Sequence, residues 1–142
     1  MKTYQITEKN LVKDYVYGGH GIFTVMTKNT IINNIFIYIS KPCEKDLNSI
    51  LFFDSNMNFL GTLKKKDRFY VHSKKSKFDL NTDIVKNLIT LIKEINQIGS
   101  FKNIDFFHNG ICYHCGEKLI NEKTMLHGIG FLCQINSKKI LI

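Results

Sequence analysis

Residues 68–98 read RFYVHSKKSKFDLNTDIVKNLITLIKEINQI, and the hydrophobic period changes inside them. Phe69 and Val71 alternate with Tyr70 and His72, as side chains on the two faces of a strand do. A polar, lysine-rich stretch follows. From residue 84 the apolar side chains recur at three and four positions: Ile84, Leu88, Leu91, Ile95 and Ile98, with Val85 and Ile92 widening the stripe. That spacing predicts a helix over residues 81–98 lying with one face on a sheet. Asn81 or Thr82 can cap its start, Asp83 suits the positive end of the helix dipole, and Gly99 is a natural stop. Core packing explains the stripe completely, so it carries no functional meaning.

Working back from this junction, residues 50–53, 57–63 and 68–72 read as a meander of strands. Residues 22–27 and 31–40 are rich in β-branched and aromatic side chains, and 28–30 reads as a hairpin turn between them. Residues 2–6 fit a short edge strand, and 8–17 fit either a helical turn or a loop. The cluster Gly18-Gly19-His20-Gly21 permits a tight turn. It is not a dinucleotide fingerprint, because no G-x-G-x-x-G opens onto a helix. The expected fold class is α+β: a small antiparallel β-sheet or meander packed with one main helix, then a C-terminal zinc-knuckle-like unit. The division falls at 1–100 and 101–142, packed as one compact domain.

Composition agrees with a single ordinary domain. The chain has 142 residues, 44% of them apolar, with one proline. This excludes a disordered or collagen-like chain, and a core of this size needs no disulfides. No apolar run reaches the ~18 residues that would span a bilayer. The start, MKTYQITEKN, lacks the apolar region of a secretory signal, so an uncleaved cytoplasmic protein without a membrane partner is expected.

The formal net charge of +8 is concentrated. Within residues 60–79, Lys64, Lys65, Lys66, Arg68, Lys74, Lys75 and Lys77 stand against Asp67 and Asp79, a net +5. Such a patch attracts phosphate backbones or an acidic protein surface. Tyr70, Phe69 or His72 can stack on bases if exposed. If these strands form a hairpin, the basic turn and the basic loop gather at one end of the sheet. The bland alternative is a solvated turn kept soluble by lysine. With only one Arg among the seven, bidentate recognition is poorly served.

Chemistry concentrates in the C-terminal segment. Its spacing is His108-x3-Cys112-x2-Cys115-x17-Cys133, with His114 and His127 nearby. Cys112-Tyr113-His114-Cys115-Gly116 has the form of a zinc knuckle, in which two thiolates wrap one ion and backbone N–H groups point at the sulfurs. Redox pairs share the C-x2-C spacing, but no strand-to-helix context places Cys112 at a helix N-terminus. Cys133, in a glycine-bearing stretch, supplies a third thiolate. Tetrahedral zinc needs a fourth ligand. His108 is the first choice, His127 the alternative, and Cys43 beside Pro42 a distant third. A site with all four positions filled is structural rather than catalytic.

The segment from His108 to Cys133 resembles a small domain of unknown function common in bacteriophage and prophage proteins. The matching residues are His108, Gly110, Cys112, Cys115, Gly116, Lys118, Leu119, Thr124, Gly128, Ile129, Gly130 and Cys133. Phe131 stands where that pattern usually has a proline. The segment Gly21-Ile22-Phe23-Thr24-Val25 is similar to the upstream β-rich module of such proteins. The resemblance implies a phage or mobile-element origin and points to nucleic-acid metabolism or interference with host defence. It also favours His108 over His127 as the zinc ligand.

No H-E-x-x-H, nucleophile elbow or H-x-E before the C-x2-C is present, and His20 is an isolated possible general base. The expected function is therefore a small non-enzymatic, zinc-stabilised binding protein that contacts nucleic acid through its basic patch. The alternatives are an inhibitor of a host defence or nuclease complex and, further off, a small hydrolase with an unrecognised site. The oligomeric state is open.

Overall fold

The computed structural model describes residues 3–27, 37–40, 48–99, 101 and 103–136. The elements in chain order are β1 (Tyr4–Ile6), α1 (Lys9–Tyr17), β2 (His20–Thr27), β3 (Ile37–Ser40), β4 (Ser49–Phe53), β5 (Phe59–Lys64), β6 (Phe69–His72), α2 (Asp83–Asn96), β7 (Ile104–His108), α3 (Glu122–His127) and α4 (Phe131–Asn136). The fold is α+β, as the switch of period predicts. The strands form one antiparallel sheet in the order β1-β7-β2-β3-β4-β5-β6. Strands β2 to β6 run as a meander, each pairing with the next. The expected hairpin turn at 28–30, the first part of the expected strand 31–40, and Cys43 lie outside the described residues.

Strand β7 was not anticipated from the sequence. It pairs antiparallel with both β1 and β2, so those two strands run parallel. Helix α1 carries the chain between them, and β7 fills the space that the crossover leaves. Residues 8–17 are therefore largely helix rather than loop.

Helix α2 buries Ile84, Val85, Leu88, Leu91, Ile92 and Ile95. These join Val25, Phe52 and Leu60 in one apolar core. Burial of each such aliphatic side chain contributes roughly 1.5–3 kcal/mol. The helix is shorter than predicted. Thr82 holds the N-cap position, but its hydroxyl donates to the Asp79 carbonyl (2.7 Å) instead of capping the helix. At the other end Gln97 is already extended, ahead of Gly99, and Ile98 is fully exposed. The stripe thus ends at Ile95.

The glycine cluster before β2 has a packing role. A Cβ on Gly18 would meet the Tyr113 ring at 2.3 Å, and one on Gly21 would meet the Tyr15 hydroxyl at 2.5 Å. Gly21 also has φ +121°, a conformation side chains rarely adopt. These positions let the C-terminal segment sit directly on the α1–β2 junction. Cys112, Tyr113, Leu119 and Ile129 belong to the same core as the sheet and helices.

Candidate metal centre

After β7 the chain turns through a small hairpin closed by a bridge between Ile111 and Lys118. The Cys112 N–H donates to the Glu117 carbonyl (2.8 Å) and the Gly116 N–H to the Cys112 carbonyl (2.9 Å). This tight turn presents Cys112 and Cys115 on neighbouring positions. Helix α3 ends at Gly128, whose carbonyl accepts from the Tyr113 N–H (2.9 Å). That bond ties the far segment to the knuckle and brings α4, with Cys133, alongside.

The Sγ atoms of Cys112, Cys115 and Cys133 all lie within 4.8 Å of one another. All three are free thiols; Cys112 is buried, Cys133 half-buried and Cys115 exposed. Tetrahedral zinc, with Zn–S bonds of about 2.3 Å, holds its sulfurs about 3.8 Å apart. The three cysteines therefore fit such an ion after small adjustments. Backbone support is present: Cys112 Sγ accepts from the N–H groups of Gly130 (3.3 Å) and His114 (3.4 Å).

The thiols are electrostatically unequal. Burial pushes the Cys112 thiol up, but the N–H groups of Gly130, Cys115 and His114 outweigh it and leave the thiol more acidic than usual. Cys133 is pushed up to about 12, first by burial and then by the neighbouring Cys115 and Cys112. Three thiolates repel one another in this space, and a bound cation removes the conflict.

No protein-family model, curated protein or solved structure matches the chain.

His108, the expected fourth ligand, is placed elsewhere. It lies on β7 with Ile104 and Phe106 in the buried alternation, and it is wholly buried. Its Nδ1 accepts from the Gly110 N–H (3.0 Å), which leaves the proton on Nε2 to donate to the Met125 carbonyl. The rings of Tyr4 and Tyr15 pack at 5.5 and 5.1 Å. Both ring nitrogens are thus committed, and His108 is a structural core histidine rather than part of the thiol group. His127 ends α3 outside that group too, but its buried Nδ1 has no hydrogen-bond partner among the described residues. His114 is exposed in the knuckle turn. His20, at the start of β2, lies against Gly116, directly after Cys115. Sequence spacing gave no sign of that neighbourhood, because the two segments are distant in the chain.

The basic residues do not gather at one end of the sheet. Lys64, Lys65, Lys66 and Arg68 surround the β5–β6 turn, while Lys74, Lys75 and Lys77 follow the opposite end of β6. The four residues of β6 separate the two groups by about 14 Å. Tyr70 and His72 are also unsuited to stacking on bases. The Tyr70 hydroxyl bonds His72 Nδ1 (2.9 Å), His72 Nε2 bonds the Phe78 carbonyl (2.7 Å), and the Tyr70 ring packs near Phe52. Phe69, on the other face of the strand, is the exposed aromatic.

Among the described residues no helix is long and apolar enough to cross a membrane.

Proposed function

We propose that this chain is a small non-enzymatic binding protein in which one zinc ion fastens residues 111–133 to the sheet. The convergence of Cys112, Cys115 and Cys133 from a turn and a separate helix carries this reading. Zinc is the best-matched ion because soft thiolates close enough to share one ion select it over hard cations. The ion is structural. It closes a loop between the knuckle and α4, so its binding energy becomes folding energy of that segment. His127 is the favoured protein candidate for the fourth position, since His108 is already bonded on both sides.

The contact face is β6 with the lysines at its two ends, and the partner is anionic. Nucleic acid is the reading that charge alone favours. A protein partner, such as a host defence or nuclease complex, is favoured by the apolar surface between the lysine groups. A phage or mobile-element origin belongs to the same proposal and rests on the resemblance of residues 108–133, and a cytoplasmic setting goes with that origin.

Hydrogen exchange before and after chelation tests the role of zinc. The account expects protection in 111–133 to fall while β4, β5 and β6 keep theirs. Unchanged exchange in 111–133 would overturn it. In the cobalt-substituted protein, His127→Ala should change the ligand-field spectrum and His108→Ala should not. The reverse pattern restores His108 as the ligand.

A further inference from the structure

The sheet ends at β6. Among the described residues no strand pairs with its outer side. An antiparallel strand directs alternate N–H and C=O groups to each side, so half of the β6 backbone is available to a further strand. Phe69 and Val71 are 49% and 40% exposed, on the face of β6 opposite Tyr70 and His72. Beside the strand runs an open groove of about 510 Å³ between β6 and α2. Its apolar floor includes Tyr70, Ile89, Ile92 and Leu80, with Arg68 and Lys93 at its rim. The Tyr70–His72–Phe78 hydrogen-bond chain fixes the floor in place. Basic groups lie at both ends of the strand, and the nearby sequence offers only Asp67 and Asp79 against them.

We propose that this edge takes an extended peptide with apolar side chains at alternating positions and acidic residues on both flanks, which adds to the sheet as a further strand beside β6. The peptide backbone pairs with β6, one set of its side chains enters the groove, and the acidic flanks meet the two lysine groups. The inference rests on reading the chain as a binding protein and names the chemistry of its partner. It does not depend on the metal, because the cysteine-bearing segment packs against the α1–β2 junction, with β3, β4 and β5 lying between β2 and β6 in the sheet. A nucleic acid fits this face less well. Phosphates would be neutralised at the ends alone, and the middle would set bases on an aliphatic floor.

The test uses the zinc-loaded full chain and a fluorescent synthetic peptide of about 12 residues, with glutamates at both ends and Val and Lys-free polar residues alternating in the centre. A second peptide carries proline in the centre, which removes a ladder N–H at unchanged charge. A single-stranded oligonucleotide serves as competitor. The proposal expects the first peptide to bind, and the proline peptide to bind about tenfold more weakly, as the loss of one ladder bond and its register implies. Phe69→Glu and, separately, Lys74→Glu with Lys75→Glu should each weaken binding by a similar factor, and a urea melt checks that both variants fold. Equal binding of the proline peptide overturns strand addition. Binding of the oligonucleotide alone overturns this inference but leaves the binding-protein reading standing. Failure of both probes overturns that reading at this face.

Discussion

His108 shows how one residue type at one spacing supports two opposite roles. Four residues before Cys112, it has the spacing of a ligand. Its place in the alternation Ile104, Phe106, His108 is the competing signal, and the structure follows that signal. Its ring is held by two hydrogen bonds and two tyrosines, so truncation removes packing and orphans the Gly110 N–H and the Met125 carbonyl. His108→Ala should destabilise the fold by about 3 kcal/mol while zinc content stays unchanged. Urea unfolding and elemental analysis read the two effects separately. Burial lowers the pKa of His108 below its ordinary 6.5, although the bond to Met125 acts the other way. The folded state therefore prefers the neutral ring. That contribution is complete above about pH 6.5 and is lost as pH falls toward the depressed folded value. The pH slope of stability between 6.5 and 5.5 should be shallower in His108→Gln than in the parent. Equal slopes would show that His108 does not titrate with folding. For Cys133 the sign is opposite: its raised pKa keeps a proton on the thiol at neutral pH, and zinc must displace it. Zinc affinity should accordingly fall as pH drops, with proton release on binding measurable by calorimetry in buffers of different ionisation enthalpy.

At the scale of elements, legibility followed length and periodicity. The α2 stripe runs over several turns and is read directly from spacing; Leu88 and Leu91 are wholly buried as it requires. Leu91→Ala should cost about 3 kcal/mol, seen as a lower urea midpoint at unchanged slope. The strands of the meander carry β-branched and aromatic residues and were legible for the same reason. Helices α3 and α4 have six residues each, too few for a period to repeat. Their stability comes from Asn121, which caps α3 by accepting from the Lys123 N–H (2.8 Å), from the Gly128 stop, and from contact with the knuckle. Strand β7 has only five residues and pairs with β1 and β2, both far away in the chain, so the local pattern does not reveal its place in the sheet. The position of the lysines illustrates another limit. Pairing of β5 with β6 was legible, yet a turn and the loop after the returning strand lie at opposite ends, so one supposed patch became two.

At the scale of the whole molecule, the knuckle is continuous with the core. Cys112 and Tyr113 are buried among residues of the sheet and α1, and Tyr15 bonds the Ile111 carbonyl (2.9 Å). A chain of 142 residues can bury a core without metal, so zinc loss should loosen residues 111–133 before it unfolds the sheet. The C-x2-C spacing and Cys133 mark three cysteines in the sequence, and the same three converge in the fold. What the sequence did not carry was the third dimension: that His20 lies against Gly116, that Gly18 and Gly21 make room for Tyr113 and Tyr15, and that β6 faces outward.

If Cys112, Cys115 and Cys133 hold one zinc ion, as proposed, each of them is needed to retain it. The measurement that tests it most directly is metal content per chain, taken on protein purified under reducing conditions and compared with Cys112→Ser and Cys133→Ser. One zinc is expected in the parent, with loss of most of it in each variant. A parent without stoichiometric zinc, or one zinc retained in both variants, would contradict it.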